Sequence, residues 1–153
     1  MTAEWGALER SLMLKVEQVH TEATHRRGRA ALAAAGEGGA DRPALLAEAA
    51  RCAHDLERRG TRLARPLGEL LAAGVAAARG DAASALDRLG AATAGFAAAE
   101  MALHAAVARR RRGELVGGDE GRALVAAADA WMAGEKIKRP AGWAALLAPG
   151  FPG

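Results

Sequence analysis

Apolar residues recur every three or four positions along almost the whole chain, and no stretch alternates with the period of two that a half-buried strand requires. The clearest stretch runs from Pro66 to Phe96. Before Gly80-Asp81, Leu67, Leu70, Leu71, Gly74 and Ala78 share one helical face; after it, Ala85, Leu89, Ala92 and Phe96 share another. The pattern predicts two antiparallel helices joined by a tight turn, with small residues where their backbones come closest.

The rest of the chain reads as variations on this hairpin. Trp5, Leu8, Leu12, Val16, Val19, Ala23, Ala30 and Ala34 form one stripe, which predicts a long helix over 3–35 that Gly28 allows to bend. Arg10, Glu17, His20 or Thr24, and Arg27 fall on its polar face, where Glu22 and Arg26 have the favourable i,i+4 order. After the loop Gly36-Glu37-Gly38-Gly39, Asp41 caps a second helix with Pro43 in its first turn. Leu45, Leu46, Ala49, Cys52, Ala53 and Leu56 are its apolar face, and Arg58-Arg59-Gly60 end it. Thr61 caps a third helix, which has Pro66 in its first turns and stops at Gly80. A fourth helix spans 82–97 and a fifth 100–114; Gly117-Gly118-Asp119 is the next turn. The sixth helix turns Leu124, Ala127, Trp131 and Gly134 inward. Pro140 opens a short last helix carrying Trp143, Leu146 and Leu147, and Pro149 ends it.

The expected fold is therefore all-α: antiparallel helical hairpins in a short right-handed array with a C-terminal capping helix. The units are 1–60, 61–99, 100–137 and a capping segment 138–153. Composition sharpens the picture. Hydrophobic residues make up 51% of the 153 residues but aromatics only 3%, so alanine must supply much of the core. Alanine is the best helix former yet buries little area, which demands close helix packing.

Charge and cysteine usage narrow the setting. The 21 basic and 18 acidic residues interleave, so the net charge of +3 makes no nucleic-acid-binding patch. Cys52 is alone, which forbids an internal disulfide and suits a reducing compartment. No apolar run reaches the roughly 20 residues that span a bilayer, and no signal-peptide order opens the chain. The expected location is the cytoplasm, with no membrane partner.

Turns recur at Asp41, Asp81 and Asp119, spaced by 40 and 38 residues. Leu45, Ala85 and Ala123 follow at four residues, and Cys52, Ala92 and Ala130 at eleven. This pattern resembles the tetratricopeptide repeat (TPR). That family's Gly-Asp turn and its two alanines are matched by Gly80-Asp81, Ala85 and Ala92, and again by Gly118-Asp119, Ala123 and Ala130. The first unit departs, with Ala40-Asp41, Leu45 and Cys52, and the bulky aromatics of the family's first helix are missing.

A second resemblance covers Ala40 onward and is carried by the ADAWM run ending at Met132 and by the LAPG run ending at Gly150. These are similar to the C-terminal region of large bacterial signalling proteins that join a serine/threonine kinase, and often an ATPase, to TPR-like repeats. The resemblance implies a regulatory or partner-binding role, as a fragment or a stand-alone copy. No glycine-rich phosphate loop, HRD or DFG is present, so no kinase activity is expected of this chain.

Candidate chemistry is sparse. His20, His25, His54 and His104 do not pair at metal-ligand spacing. His104, in line with Met101, Ala108 and Leu115, reads as a packing histidine; Cys52 reads as a buried structural thiol. Four consecutive arginines, Arg109 to Arg112, point almost all around a helix, so Arg111 or Arg112 must lie near the apolar face and either snorkel or pair with an acid, with anion or phosphoprotein binding as the alternative use of the run. The glycines from Gly113 to Gly121 follow a helix and lack the Gly-Lys-Ser/Thr of a phosphate loop. Asp119-Glu120 sit at a helix start, and Ser11 and Ser84 have no triad around them.

No catalytic, cofactor-binding or metal residue is expected. The function read from the sequence is a non-catalytic TPR-like protein–protein interaction or regulatory module with a protein or peptide partner. The alternative is a small-ligand sensor with an apolar pocket near Trp131 and Trp143. The long first helix outruns the second, which predicts a homodimer through its Trp5, Leu8 and Leu12 end.

Overall fold

The computed structural model describes residues 2–152, with the side chains of residue 12 and of residues 15–152. The readings placed on Trp5, Leu8 and Arg10 lie outside these side chains. Seven helices, α1 (Thr2–Gly36), α2 (Arg42–Arg59), α3 (Ala64–Ala78), α4 (Ala82–Ala98), α5 (Ala102–Val116), α6 (Gly118–Gly134) and α7 (Pro140–Leu147), follow one another, and the described residues hold no strand. Each of α1 to α6 packs on the next; α1 also reaches α3, and α7 lies on α5 with a smaller contact to α6. The short connections make consecutive neighbours antiparallel. The protein is an all-α, repeat-like array of three helical hairpins and a closing helix. Among the described residues no helix is long and apolar enough to cross a membrane.

The central hairpin follows its sequence pattern closely. Ala85, Leu89, Ala92 and Phe96 are completely buried, and the Asp81 carboxylate accepts the Ser84 N–H at 3.0 Å. Gly80 supplies the left-handed backbone (φ 82°) that turns α3 into α4. Thr61 Oγ1 accepts the Ala64 N–H at 3.0 Å, and Asp41 holds its cap position without a side-chain hydrogen bond. On α3, Leu67, Leu70 and Leu71 are buried, but so are Ala64, Gly68, Ala73 and Val75, because α3 is covered on several sides. Gly68 receives α2: a Cβ there would lie 2.9 Å from the Ala53 carbonyl oxygen. Arg88 of α4 ties this region together, donating to Glu57 at 2.6 Å and to Glu69 at 2.8 Å.

Two faces differ from the sequence reading. On α1 the expected stripe is turned outward: Leu12, Val16 and Val19 are exposed, as are Ala23 and Ala30. The buried stripe is Thr21, His25, Gly28, Ala31, Leu32 and Ala35. Alanine is tolerated on either side of a helix, so it cannot mark the inner face. The deciding residues are Leu32, the one large apolar residue after Val19, and Gly28. A Cβ on Gly28 would meet Leu71 at 2.6 Å and Cys52 at 3.0 Å. Gly28 is therefore the point where α1 rests on α2 and α3, and α1 continues through it.

On α6 the inward residues are Gly121, Ala128 and Met132; Leu124 and Trp131 are half-buried, and Ala123, Ala127, Ala130 and Gly134 are exposed. The helix starts earlier than a cap at Asp119 allows, because Gly117 (φ 66°) makes the turn. Counted from Gly117, the small residues four and eleven positions on are Gly121 and Ala128. The third unit therefore departs from the expected one: its turn is at Gly117, and Ala123 and Ala130 do not take the buried positions. On α7, Ala144 and Leu147 are buried while Trp143 and Leu146 are exposed, and α5 is its main support.

Candidate functional site

The first helices of the three hairpins, α1, α3 and α5, share one face with the chain that leaves α7. Pro149 cannot continue a helix, and Gly150 adopts φ 94°, so residues 148–152 run non-helically across that face. Ala148 and Pro149 are buried there. The contact with α3 is backbone against backbone. A Cβ on Gly74 would lie 2.6 Å from the Pro149 carbonyl oxygen, and one on Gly150 would lie 2.7 Å from the Gly74 carbonyl oxygen. Gly74 is therefore a seat for the crossing segment and for Leu32 of α1, where the sequence reading placed it toward α4.

One arginine holds this segment by a carbonyl, and another holds the last turn of α7. Arg111 of α5 donates from Nε to the Ala148 oxygen at 2.9 Å, and Arg29 of α1 donates from Nη1 to the Leu146 oxygen at 3.2 Å. Arg111 is buried, paired with Glu114 at 2.6 Å, and its guanidinium stands 5.2 Å from the centre of the Phe151 ring. The arginine run divides as helix geometry requires: Arg110 pairs with Asp129 and Glu114, and Arg109 and Arg112 face solvent. Beside the segment lies an open depression of about 560 Å³ with Leu32, Ala35, Arg42, Ala78 and Phe151 among its walls.

His25, Arg29 and His104 influence one another's ionisation, and Arg29 touches the last turn of α7. His25 is buried, and burial first, then the charges of Arg29 and His104, lowers its pKa to about 3. His104 packs on Phe96 with ring centres 5.2 Å apart, and burial followed by Arg29 lowers its pKa as well. Burial and then Arg26 lower that of Arg29. Nε2 of His25 and Nε of Arg29 are buried without a hydrogen-bond partner.

The remaining sequence candidates do not converge. His20 pairs with Asp55 at 3.5 Å on the surface, and His54 is exposed. Cys52 is buried, with its thiol pKa raised by burial. Among the described residues no three His, Cys, Asp or Glu side chains are grouped as metal ligands. Gly113 to Gly121 form the crossing of α5 and α6. A solvent-open depression of about 290 Å³ is lined by Arg139, Gly142, Trp143 and Leu146, without Trp131. The sequence reading missed Arg29 and the run Leu146–Phe151 as one unit. Its only signal is composition: LLAPGF, the end of α7 and the chain that follows it, has no charge and no polar side chain.

No protein-family model matches the chain, and no curated protein or solved structure matches it either.

Proposed function

We propose that the protein is a non-catalytic, TPR-like interaction module that binds an extended protein segment on the face of α1, α3 and α5. One observation supports this reading: that face already holds a non-helical chain, with Arg111 bonded to the Ala148 carbonyl just after α7 and Arg29 bonded to the Leu146 carbonyl in its last turn. Such bonds read the main chain of a ligand and leave its side chains to select the partner. Gly28 lets α1 rest on α3, and Gly74 leaves room for a chain against α3.

The wider setting rests on sequence resemblance alone: a regulatory region of a bacterial serine/threonine-kinase or ATPase signalling protein, or a stand-alone copy of one, acting in the cytoplasm without a cofactor. The alternative, a small-ligand sensor, needs a shared cavity at Trp131 and Trp143; the depression at Trp143 is open and Trp131 takes no part in its lining. The test is affinity capture from the source cell with the wild-type chain and with Arg29→Ala. A protein retained by the first and lost from the second supports the reading. Identical retention on both baits rejects this face as the binding surface.

A further inference from the structure

Helix α7 carries no charged side chain, and the Trp143 indole N–H is its only polar side-chain group. A helix apolar all round is buried in a core or in lipid, yet α7 is covered on one side only. Ala144 and Leu147 are buried beneath it. On the outer side Trp143 and Leu146 are 41% and 60% exposed, among exposed Ala141, Gly142 and Ala145.

Positive charge rims this outer face. Arg139 stands at the N-cap of α7, and its Cβ is 3.7 Å from where a Cβ on Gly142 would be. Its stem thus lies along the outer face, and Arg139, Gly142, Trp143 and Leu146 line one open depression. Lys136 and Lys138 are exposed on either side of Ile137, which packs against the core. Among the described residues none of these three cations pairs with an acid. From Glu135 to Gly153 the sequence holds no other acid. We infer that the outer face of α7 docks on an anionic lipid bilayer, with Trp143 and Leu146 in the interface and Arg139, Lys138 and Lys136 at the headgroups.

Size and charge favour a bilayer over a protein. The exposed parts of Trp143 and Leu146 amount to on the order of 200 Å². Each partner in a stable protein interface contributes roughly 800 Å². A second copy seated on the same face would set three cations against three, and such like-charge contacts are unfavourable. A bilayer requires no matching surface. Tryptophan settles at headgroup level, and long basic side chains lay their stems on the apolar side while the charge stays at the phosphates. Each such cation adds about fivefold to the affinity for an anionic leaflet. The expectation of no membrane partner came from the lack of a spanning run, which a helix lying on the surface does not need. The contact is independent of the segment-binding reading, because it uses neither Arg111 nor the seat at Gly74.

The experiment floats the full chain with vesicles of equal parts phosphatidylglycerol and phosphatidylcholine, and with vesicles of phosphatidylcholine alone. The expected result is binding to the mixed vesicles at least tenfold tighter than to the neutral ones, weakening as salt rises. Trp143→Ser, and separately Lys138→Ser with Arg139→Ser, should each lower it at least tenfold. Serine is a good N-cap, so the second variant keeps the start of α7. Should Trp143→Ser fail to fold, lipids brominated in the acyl chain decide: they should quench the wild-type tryptophan emission and quench Trp143→Phe markedly less. No binding to the mixed vesicles, or equal binding to both kinds, overturns the inference. So does loss of binding in Val16→Glu but not in Trp143→Ser, which would assign the lipid contact to α1. A polyglutamate peptide that binds through Trp143 while vesicles do not would show a protein partner on α7 and overturn it as well.

Discussion

Gly113 and Gly121 meet backbone to backbone, so that a Cβ on Gly113 would lie 2.7 Å from the Gly121 carbonyl oxygen and one on Gly121 closer still to that of Gly113. This pair sets the separation of α5 and α6 in a protein with few large side chains. A methyl at Gly121 has only backbone to push against. Gly121→Ala should cost about 1–3 kcal/mol, read as a lower urea midpoint. Gly90, in α4, has open space at its Cβ, and Gly90→Ala should stabilise the fold by up to about 1 kcal/mol, read as a higher midpoint. Equal effects of the two changes would place the crossing elsewhere.

Ala92 is fully buried at the heart of the central hairpin. Ala92→Leu should overpack that site and cost about 1–3 kcal/mol. Thermal unfolding followed by circular dichroism checks it; an unchanged midpoint would mean that α4 is rotated from the face described.

The central hairpin was legible because its signals are large or conformationally specific: Leu70, Leu89, Phe96 and the Gly80-Asp81 turn. The inner face of α1 was not. Its buried stripe relies on Thr21, His25 and Gly28, while Val16 and Val19, the more hydrophobic residues, point outward. The third repeat was misplaced because Asp119 looks like a cap, although Gly117 makes the turn. The face crossed by residues 148–152 was hidden for another reason. Its contacts end on the carbonyls of Leu146, Ala148 and Gly74, and a carbonyl has no letter in a sequence.

His25 gives the stability a pH dependence of known sign. Its folded pKa, about 3, lies below the ordinary 6.5, so as pH falls the unfolded chain binds the proton first. This contribution is intact above pH 6.5 and is lost as pH drops from 6.5 toward 3, at about 1.4 kcal/mol per unit. His104, lowered by burial and by Arg29, acts in the same direction. Between about pH 7.5 and about pH 5 the wild type should lose about 2 kcal/mol on account of His25. His25→Leu should lose markedly less over that range in urea titrations. Parallel titrations of the two proteins would show that His25 is accessible to protons in the fold.

Removing residues 138–153 takes away Ala144 and Leu147 together with the crossing segment. Leu32, Gly74 and Arg111 then face water, and the shortened protein should melt earlier and aggregate. Equal solubility and an equal melting midpoint would show that α7 does not close the array.

Leu12, Val16 and Val19 are 55%, 67% and 69% exposed along one stripe of α1. The last residue of α2, Arg59, pairs with Glu17, so α2 ends beside the middle of α1. A second copy of the chain is the expected cover for this stripe, through a two-fold contact. Light scattering at tens of micromolar should report a dimer for the wild type and a monomer for Val16→Glu. A wild-type monomer would reject the contact.

The seat at Gly74 has one further consequence. Most surfaces can be tuned in steps, by trimming a leucine to a valine and then to an alanine. Where Gly74 meets Pro149 and Gly150 there is nothing to trim, because both sides are bare main chain. Mutation can only obstruct the contact. Any graded adjustment of the crossing segment must therefore come from the Arg111 bond and the Phe151 ring beside it.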